Sequence, residues 1–111
     1  MQDHEYHELA EATIWAIEAA FENTGLDIDS ECDGDMLEIT FPNRTVMVIN
    51  KQPPLQQIWV ATKFNGHHFE YRDGQWIDNR TGAELWELLT DSGSKQAEQD
   101  IELKAQVEGG E

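Results

Sequence analysis

A change in hydrophobic period divides this chain and limits its possible folds more than any other feature. From residue 3 to about residue 23, Tyr6, Leu9, Ala10, Thr13, Ile17, Ala20 and Phe21 recur with the 3.6-residue period of an amphipathic helix. Asp3 reads as the N-cap and Asn23-Thr24-Gly25 as the C-terminal stop. Beyond Gly25 the period falls to two. Residues 27–33 alternate strictly, 36–41 put Leu37, Ile39 and Phe41 on one face, and 45–49, 56–63, 67–71 and 75–77 follow as further strands. Pro42-Asn43, Asn65-Gly66 and Asp73-Gly74 supply turns, with Asn65-Gly66 a two-residue hairpin signal. Connections this short join antiparallel neighbours.

Thr81-Gly82-Ala83-Glu84 has the form of a capping box, which predicts a second helix from residue 82 to about 91 with Leu85, Leu88 and Leu89 inward. After Ser92-Gly93-Ser94 the chain turns polar. Ile101 and Leu103 alternate as an extended tail, and Gly109-Gly110-Glu111 reads as disordered. The element order predicts an α+β two-layer sandwich, an antiparallel sheet of five to six strands with both helices on one face. With 111 residues, the chain reads as one domain over 1–105 and a disordered tail over 106–111.

Charge narrows the function. Twenty-three acids against seven Lys and Arg give a formal charge of -16, which disfavours nucleic acid and anionic membrane and favours cations or a basic protein face. Residues 1–43 contain twelve acids and no Lys or Arg. No apolar run reaches the ~20 residues needed to cross a bilayer, and the acidic N-terminus lacks a signal-peptide pattern, which predicts a bacterial cytoplasmic protein. The single cysteine, Cys32, excludes an intramolecular disulfide and a Cys-based zinc site, and reads as a buried structural thiol. There is no Ser-His-Asp arrangement, phosphate loop, HExxH or nucleophile elbow, so the chain reads as a binding protein rather than an enzyme.

The acids have a pattern. Glu8, Glu11, Glu18 and Glu22 line the polar side of the first helix beside His4 and Trp15, and Asp27, Asp29, Glu31 and Asp33 share one face of the first strand. Same-face strand neighbours lie about 7 Å apart, so each like-charge pair costs ~0.6 kcal/mol in water and about four times that at an effective dielectric of 20. Two readings stay open on these residues: a solvated face that favours solubility, or a surface that takes up hard cations such as iron, calcium, magnesium or manganese. Asp27, Asp29, Glu31, Asp33 and Glu38 also match the acidic positions of an EF-hand loop, but Cys32 occupies the position that needs Gly. His7 stands one turn from Glu11 and near Asp3, where it is either a nitrogen ligand or an ordinary surface histidine. His67 and His68, adjacent in a strand, point to opposite faces.

The stretch Asn50-Lys51-Gln52-Pro53-Pro54-Leu55-Gln56-Gln57-Ile58-Trp59-Val60-Ala61-Thr62-Lys63, then Gly66-His67-His68-Phe69 and a late Leu85-Trp86-Glu87-Leu88-Leu89 helix, resembles the frataxin family in its bacterial CyaY branch. The resemblance extends over roughly residues 3–105. It implies an iron-binding protein of iron-sulfur cluster assembly, monomeric without metal, whose partners are the cysteine desulfurase and scaffold of the Isc system. It implies weak, surface-bound ferrous or ferric iron on the acidic ridge, with Asp3, His7, Glu11, Glu18, Glu22, Asp27, Asp29 and Glu31 as candidate ligands and iron oxidation as a side activity. An exposed Trp59, opposite in face to Ile58 and Val60, is then the docking anchor, with Asn50 and Gln57 beside it. Trp76 and Trp86 read as packing residues, and Trp15 as either. The alternative is a metal-independent acidic adaptor that covers a basic partner surface.

Overall fold

The computed structural model describes residues 1–103. In chain order the elements are α1 (Asp3–Glu22), β1 (Asp29–Cys32), β2 (Met36–Thr40), β3 (Val46–Gln52), a 3-10 turn at Pro53–Leu55, β4 (Gln57–Ala61), β5 (Gly66–Arg72), β6 (Gln75–Asp78) and α2 (Leu85–Ala97). The six strands form one sheet in sequential order, every neighbour antiparallel. Both helices lie on the same face, which makes the α+β sandwich that the period change predicts. The expected 106–111 tail lies outside the described residues.

Alternation decides what the sheet buries. Leu37, Ile49 and Val60 form one row across β2, β3 and β4, and Ile58 and Phe69 pair in the next. These residues are fully buried against Tyr6, Ala10, Ile14, Ile17 and Phe21 of α1 and Leu85 and Leu89 of α2. Each large apolar side chain contributes about 1.5–3 kcal/mol by leaving water. Ile14, absent from the expected stripe, lies at its centre. Thr13 lies at the edge of that stripe, its hydroxyl donating to the Leu9 carbonyl at 2.8 Å and accepting from the Trp76 indole N–H at 3.2 Å.

Several boundaries differ from the sequence expectation, each for a local reason. The N-cap of α1 is Gln2 rather than Asp3, and the Gln2 amide donates to the Glu5 carboxylate at 2.9 Å. Strand β1 stops at Cys32 because the Asp33 carboxylate accepts the Asp35 and Met36 amides, both at 2.9 Å, and turns the backbone. The hairpin between β4 and β5 turns over residues 62–65, where the Thr62 hydroxyl accepts the Phe64 and Asn65 amides, and Gly66 pairs with Ala61 inside the ladder. Asp73-Gly74 is a two-residue turn as expected, with φ of 51° and 83°.

Helix α2 starts later and runs longer than the capping box suggests. Glu84 is its N-cap, with its carboxylate accepting from the Glu87 amide at 3.1 Å. The helix passes through Ser92-Gly93-Ser94, which the sequence marks as a stop. These residues are small because α2 crosses closely over Phe21 and the following segment: a Cβ at Gly93 meets Ile101 Cδ1 at 3.0 Å and Phe21 at 3.4 Å. Ile101 and Leu103 lie along α2, their backbones bonded to the Ser94 and Thr90 hydroxyls.

Polar groups inside the sheet face are paired. The Tyr6 hydroxyl donates to the Gln57 carbonyl at 2.6 Å and accepts from the Gln52 amide at 3.0 Å, closing the gap where β3 and β4 diverge. Asp78 is 1% exposed and lies 2.7 Å from His67 Nδ1; its carboxylate also accepts from the Arg80 amide and Thr81 hydroxyl. Burial alone raises the Asp78 pKa, but the bonds from Arg80, His67 and Thr81 outweigh it and hold the carboxyl below its ordinary value.

Two expectations follow. Gly93→Val lowers stability by about 1–3 kcal/mol in urea unfolding, whereas Gly93→Ala stays near neutral because its helix propensity gain of about 1 kcal/mol offsets the tighter contact. Because Asp78 has a depressed folded pKa, its contribution is present above the ordinary carboxylate value of about 3.9 and is lost as pH falls through the folded value. Urea midpoints measured from pH 5 down to pH 2 therefore fall less steeply in Asp78→Asn than in the parent chain.

Candidate functional site

One long edge of the molecule is formed by α1 and β1 running antiparallel. After α1 ends, residues 23–28 reverse the chain, and the strand returns beside the helix it has just left. The Ser30 hydroxyl donates to Glu18 at 3.0 Å, the Trp15 indole packs over Gly34, and Glu11 and Asp35 share a cation near the other end. Glu18, Glu22, Asp27, Asp29 and Glu31 are thereby brought along a single edge, with all but the half-buried Glu18 exposed.

The pleat places these carboxylates on two sides of the strand. Ser30 and Cys32 point towards α1, whereas Asp29 and Glu31 point to the outer sheet face. Register sets Glu31 directly opposite Glu38 of β2, a like-charge cross-strand pair. Glu38 is thus a member of the ridge that the sequence reading did not assign, although the alternation in 36–41 carried the signal. Glu18 faces the strand from the helix side. The arrangement is an open row of oxygen donors rather than a cage, and no group of three His, Cys, Asp or Glu side chains among the described residues is arranged to hold an ion.

The other candidates lie apart from this row. Asp3 sits about 28 Å along the α1 axis from Glu22, at 1.5 Å per residue, and its carboxylate accepts from Gln56 Nε2 at 3.0 Å. Glu11 and His7 surround Lys51: the ammonium lies 2.9 Å from Glu11, 2.8 Å from Asp35 and 3.1 Å from His7 Nδ1. The side chain of Lys51 is only 4% exposed. Burial opposes its charge, but hydrogen bonds to Asp35 and Glu11 prevail and raise its pKa above the ordinary ammonium value. The first 43 residues thus do have a counter-charge, supplied by β3. It bridges Glu11 and Asp35 with one positive charge, and among the described residues no ion pair compensates Asp29, Glu31 or Glu38.

Cys32 is half-buried against the core. Burial, aided by Glu18 and Asp33, raises its thiol pKa despite a backbone bond from Gly34, so little thiolate is present at neutral pH.

The outer sheet face carries the second candidate group. Asn50, Trp59 and His68 are consecutive across β3, β4 and β5. Trp59 is half-buried rather than fully exposed, because its ring stacks on His68 at 4.1 Å and its indole N–H donates to Gln57 Oε1 at 2.7 Å. Gln57 is itself only 6% exposed. His67 and His68 do point to opposite faces, the first buried and the second exposed. Trp76 is buried, Trp86 packs partly against the core, and Trp15 remains 47% exposed on the acidic edge.

Comparison with known proteins gives this geometry a family. The frataxin-like domain model matches residues 1–99. The iron-sulfur cluster assembly protein CyaY of Colwellia psychrerythraea is 50% identical over 106 residues, 96% of this chain and 100% of the relative. The protein of the same name from Pseudoalteromonas atlantica is 50% identical over 98 residues, 88% of this chain and 91% of the relative. Among solved structures, the frataxin from Psychromonas ingrahamii aligns with a TM-score of 0.85 and 38% identity, covering 94% of this chain and 99% of that one. With sequence, fold and element order in agreement along nearly the whole length, the chain belongs to the frataxin-like family, in its bacterial CyaY branch.

Proposed function

We propose that this chain binds ferrous and ferric iron weakly along the α1–β1 edge and docks on the cysteine desulfurase and scaffold of the Isc system as an iron donor or regulator. The observation that carries the reading is the edge itself: Glu18, Glu22, Asp27, Asp29 and Glu31 line it on both sides of β1, Glu38 joins them through the register, and Lys51 compensates none of them. Exposed carboxylates at such a row are hard ligands with ample room for water, which favours several shallow sites of low selectivity over one tight site. Other divalent or trivalent cations substitute there. The names of the CyaY relatives place those proteins in iron-sulfur cluster assembly, and this chain is read in the same role. Asp3, His7 and Glu11 are weaker candidates, because Gln56 or Lys51 already engages one donor atom of each and they lie apart from the row.

Docking is assigned to Trp59, with Asn50 beside it and Gln57 holding its indole edge. The chain acts by binding and has no built catalytic centre; iron oxidation is a side reaction of clustered ions. Among the described residues no helix is long and apolar enough to cross a membrane, and the reading places the protein in the bacterial cytoplasm as a monomer when metal-free. A second reading, a metal-independent acidic adaptor for a basic partner face, is favoured by the lack of a three-ligand group among the described residues.

Anaerobic titration with ferrous iron in competition with magnesium tests the metal role, and binding of iron no tighter than magnesium would remove it. Combined neutralisation of Glu18, Glu22, Asp29 and Glu31 abolishes iron binding on this reading; if it weakens desulfurase capture equally with metal chelated, the adaptor reading prevails. Neutralising Glu31 alone relieves repulsion from Asp29 and Glu38, so Glu31→Gln raises the metal-free melting temperature by about 2–6 °C. An unchanged or lower value contradicts the repulsion argument.

A further inference from the structure

The outer sheet face over β4–β6 is built differently from its acidic side over β1 and β2. Residues 56–83 contain three acids (Glu70, Asp73, Asp78) and three bases (Lys63, Arg72, Arg80), so this part of a strongly acidic chain is charge-balanced. At its centre the Trp59 indole is fixed from two directions. Its face lies on the His68 imidazole, with ring centroids 4.1 Å apart and planes 11° from parallel. Its N–H donates to Gln57 Oε1 at 2.7 Å, and the Gln57 amide donates in turn to Glu70 Oε2 at 3.1 Å. Glu70 is itself anchored by Arg72 at 2.8 Å and Asn79 at 3.1 Å. Those two bonds also hold the Glu70 carboxyl below its ordinary pKa. The His68 backbone carbonyl accepts from the Asn79 amide at 3.0 Å, which ties the strand under the imidazole to the loop after β6.

A half-buried tryptophan needs neither support to fill a core, since Trp59 faces away from the helices. What the two supports do is remove rotamer freedom from a large side chain before any partner arrives. We propose that His68 is a positioning residue for partner docking: its imidazole plane, together with the Gln57–Glu70 relay, presents the Trp59 indole pre-ordered to a protein partner that offers a flat, uncharged patch. The proposal rests on the reading of Trp59 as the docking anchor. Balanced local charge favours such a partner surface over a basic one, which the acidic edge attracts instead. An immobilised aromatic loses less entropy on binding than a free one, an advantage of about three- to tenfold in affinity.

The test pairs two measurements on the full chain: the 15N-indole resonance of Trp59, and affinity for purified cysteine desulfurase. His68→Ala is expected to broaden or shift the Trp59 resonance and weaken binding about three- to tenfold, with the melting temperature unchanged. His68→Phe, which keeps a flat ring under the indole, is expected to restore both. Should His68→Ala disturb folding, Glu70→Gln loosens the relay from the other side and is read the same way. Unchanged affinity in His68→Ala while Trp59→Ala weakens binding overturns the positioning role and leaves the docking reading intact. Failure of His68→Phe to restore affinity also overturns it. A Trp59→Ala variant that binds normally removes the docking reading, and this proposal with it.

Discussion

The Lys51 ammonium, enclosed by Glu11, Asp35 and His7, is the interaction on which the working edge depends. It joins the middle of α1 to the turn between β1 and β2, and further along Glu18 and Ser30 bond the helix to the edge strand directly. A lysine buried this deeply is costly to desolvate, and its charge persists because two carboxylates, roughly half and three-quarters exposed, bond it from the solvent side. The raised pKa means that this contribution is present below the ordinary ammonium value and is lost only as pH climbs through the folded value. Across the neutral range Lys51 keeps its charge.

That clamp also determines which acids are available. It pairs with Glu11 of the helix and Asp35 of the turn, while Glu18 bonds only the neutral Ser30 hydroxyl and, among the described residues, no ion pair reaches Glu22, Asp29, Glu31 or Glu38. The molecule therefore has an acidic edge at β1 and a charge-balanced region from β4 to β6, joined by one sheet. On the proposed reading, cation uptake and protein docking fall at separate places, the β1 side and the β4–β5 centre, which one sheet holds in fixed relation. The tight core beneath, where Leu37, Ile49, Val60 and Phe69 meet Ile14, Ile17 and Leu89, keeps that relation fixed.

Much of the architecture was legible because it depends on local periodicity. The helical stripe of α1, the alternation through β2 to β6 and the Asp73-Gly74 turn all appear where the pattern puts them. The misplaced details have two causes, local side-chain caps that compete with the expected turn residues and contacts between residues far apart in sequence. Ser92-Gly93-Ser94 resembles a helix stop until Phe21 and Ile101 are seen pressing against Gly93. Asn65-Gly66 resembles a hairpin tip, but the nearby Thr62 hydroxyl caps a longer turn over residues 62–65, a local contact that the dipeptide signal does not register. Trp59 reads as exposed from alternation alone, and only the neighbouring strand reveals the imidazole beneath it.

The sequence by itself determined the two-layer fold, the excess of negative charge and its concentration in the first helix and strand, because these depend on composition and on periods of 3.6 and two. The frataxin resemblance was equally readable in the run from Asn50 to Phe69. Only the tertiary structure decided that Lys51 would bridge Glu11 and Asp35, that Glu38 would face Glu31, and that Asp3 would stand apart from the ridge. Those outcomes depend on strand register and on the path of the chain between elements. Charge acts through distance in space, and sequence separation does not specify that distance.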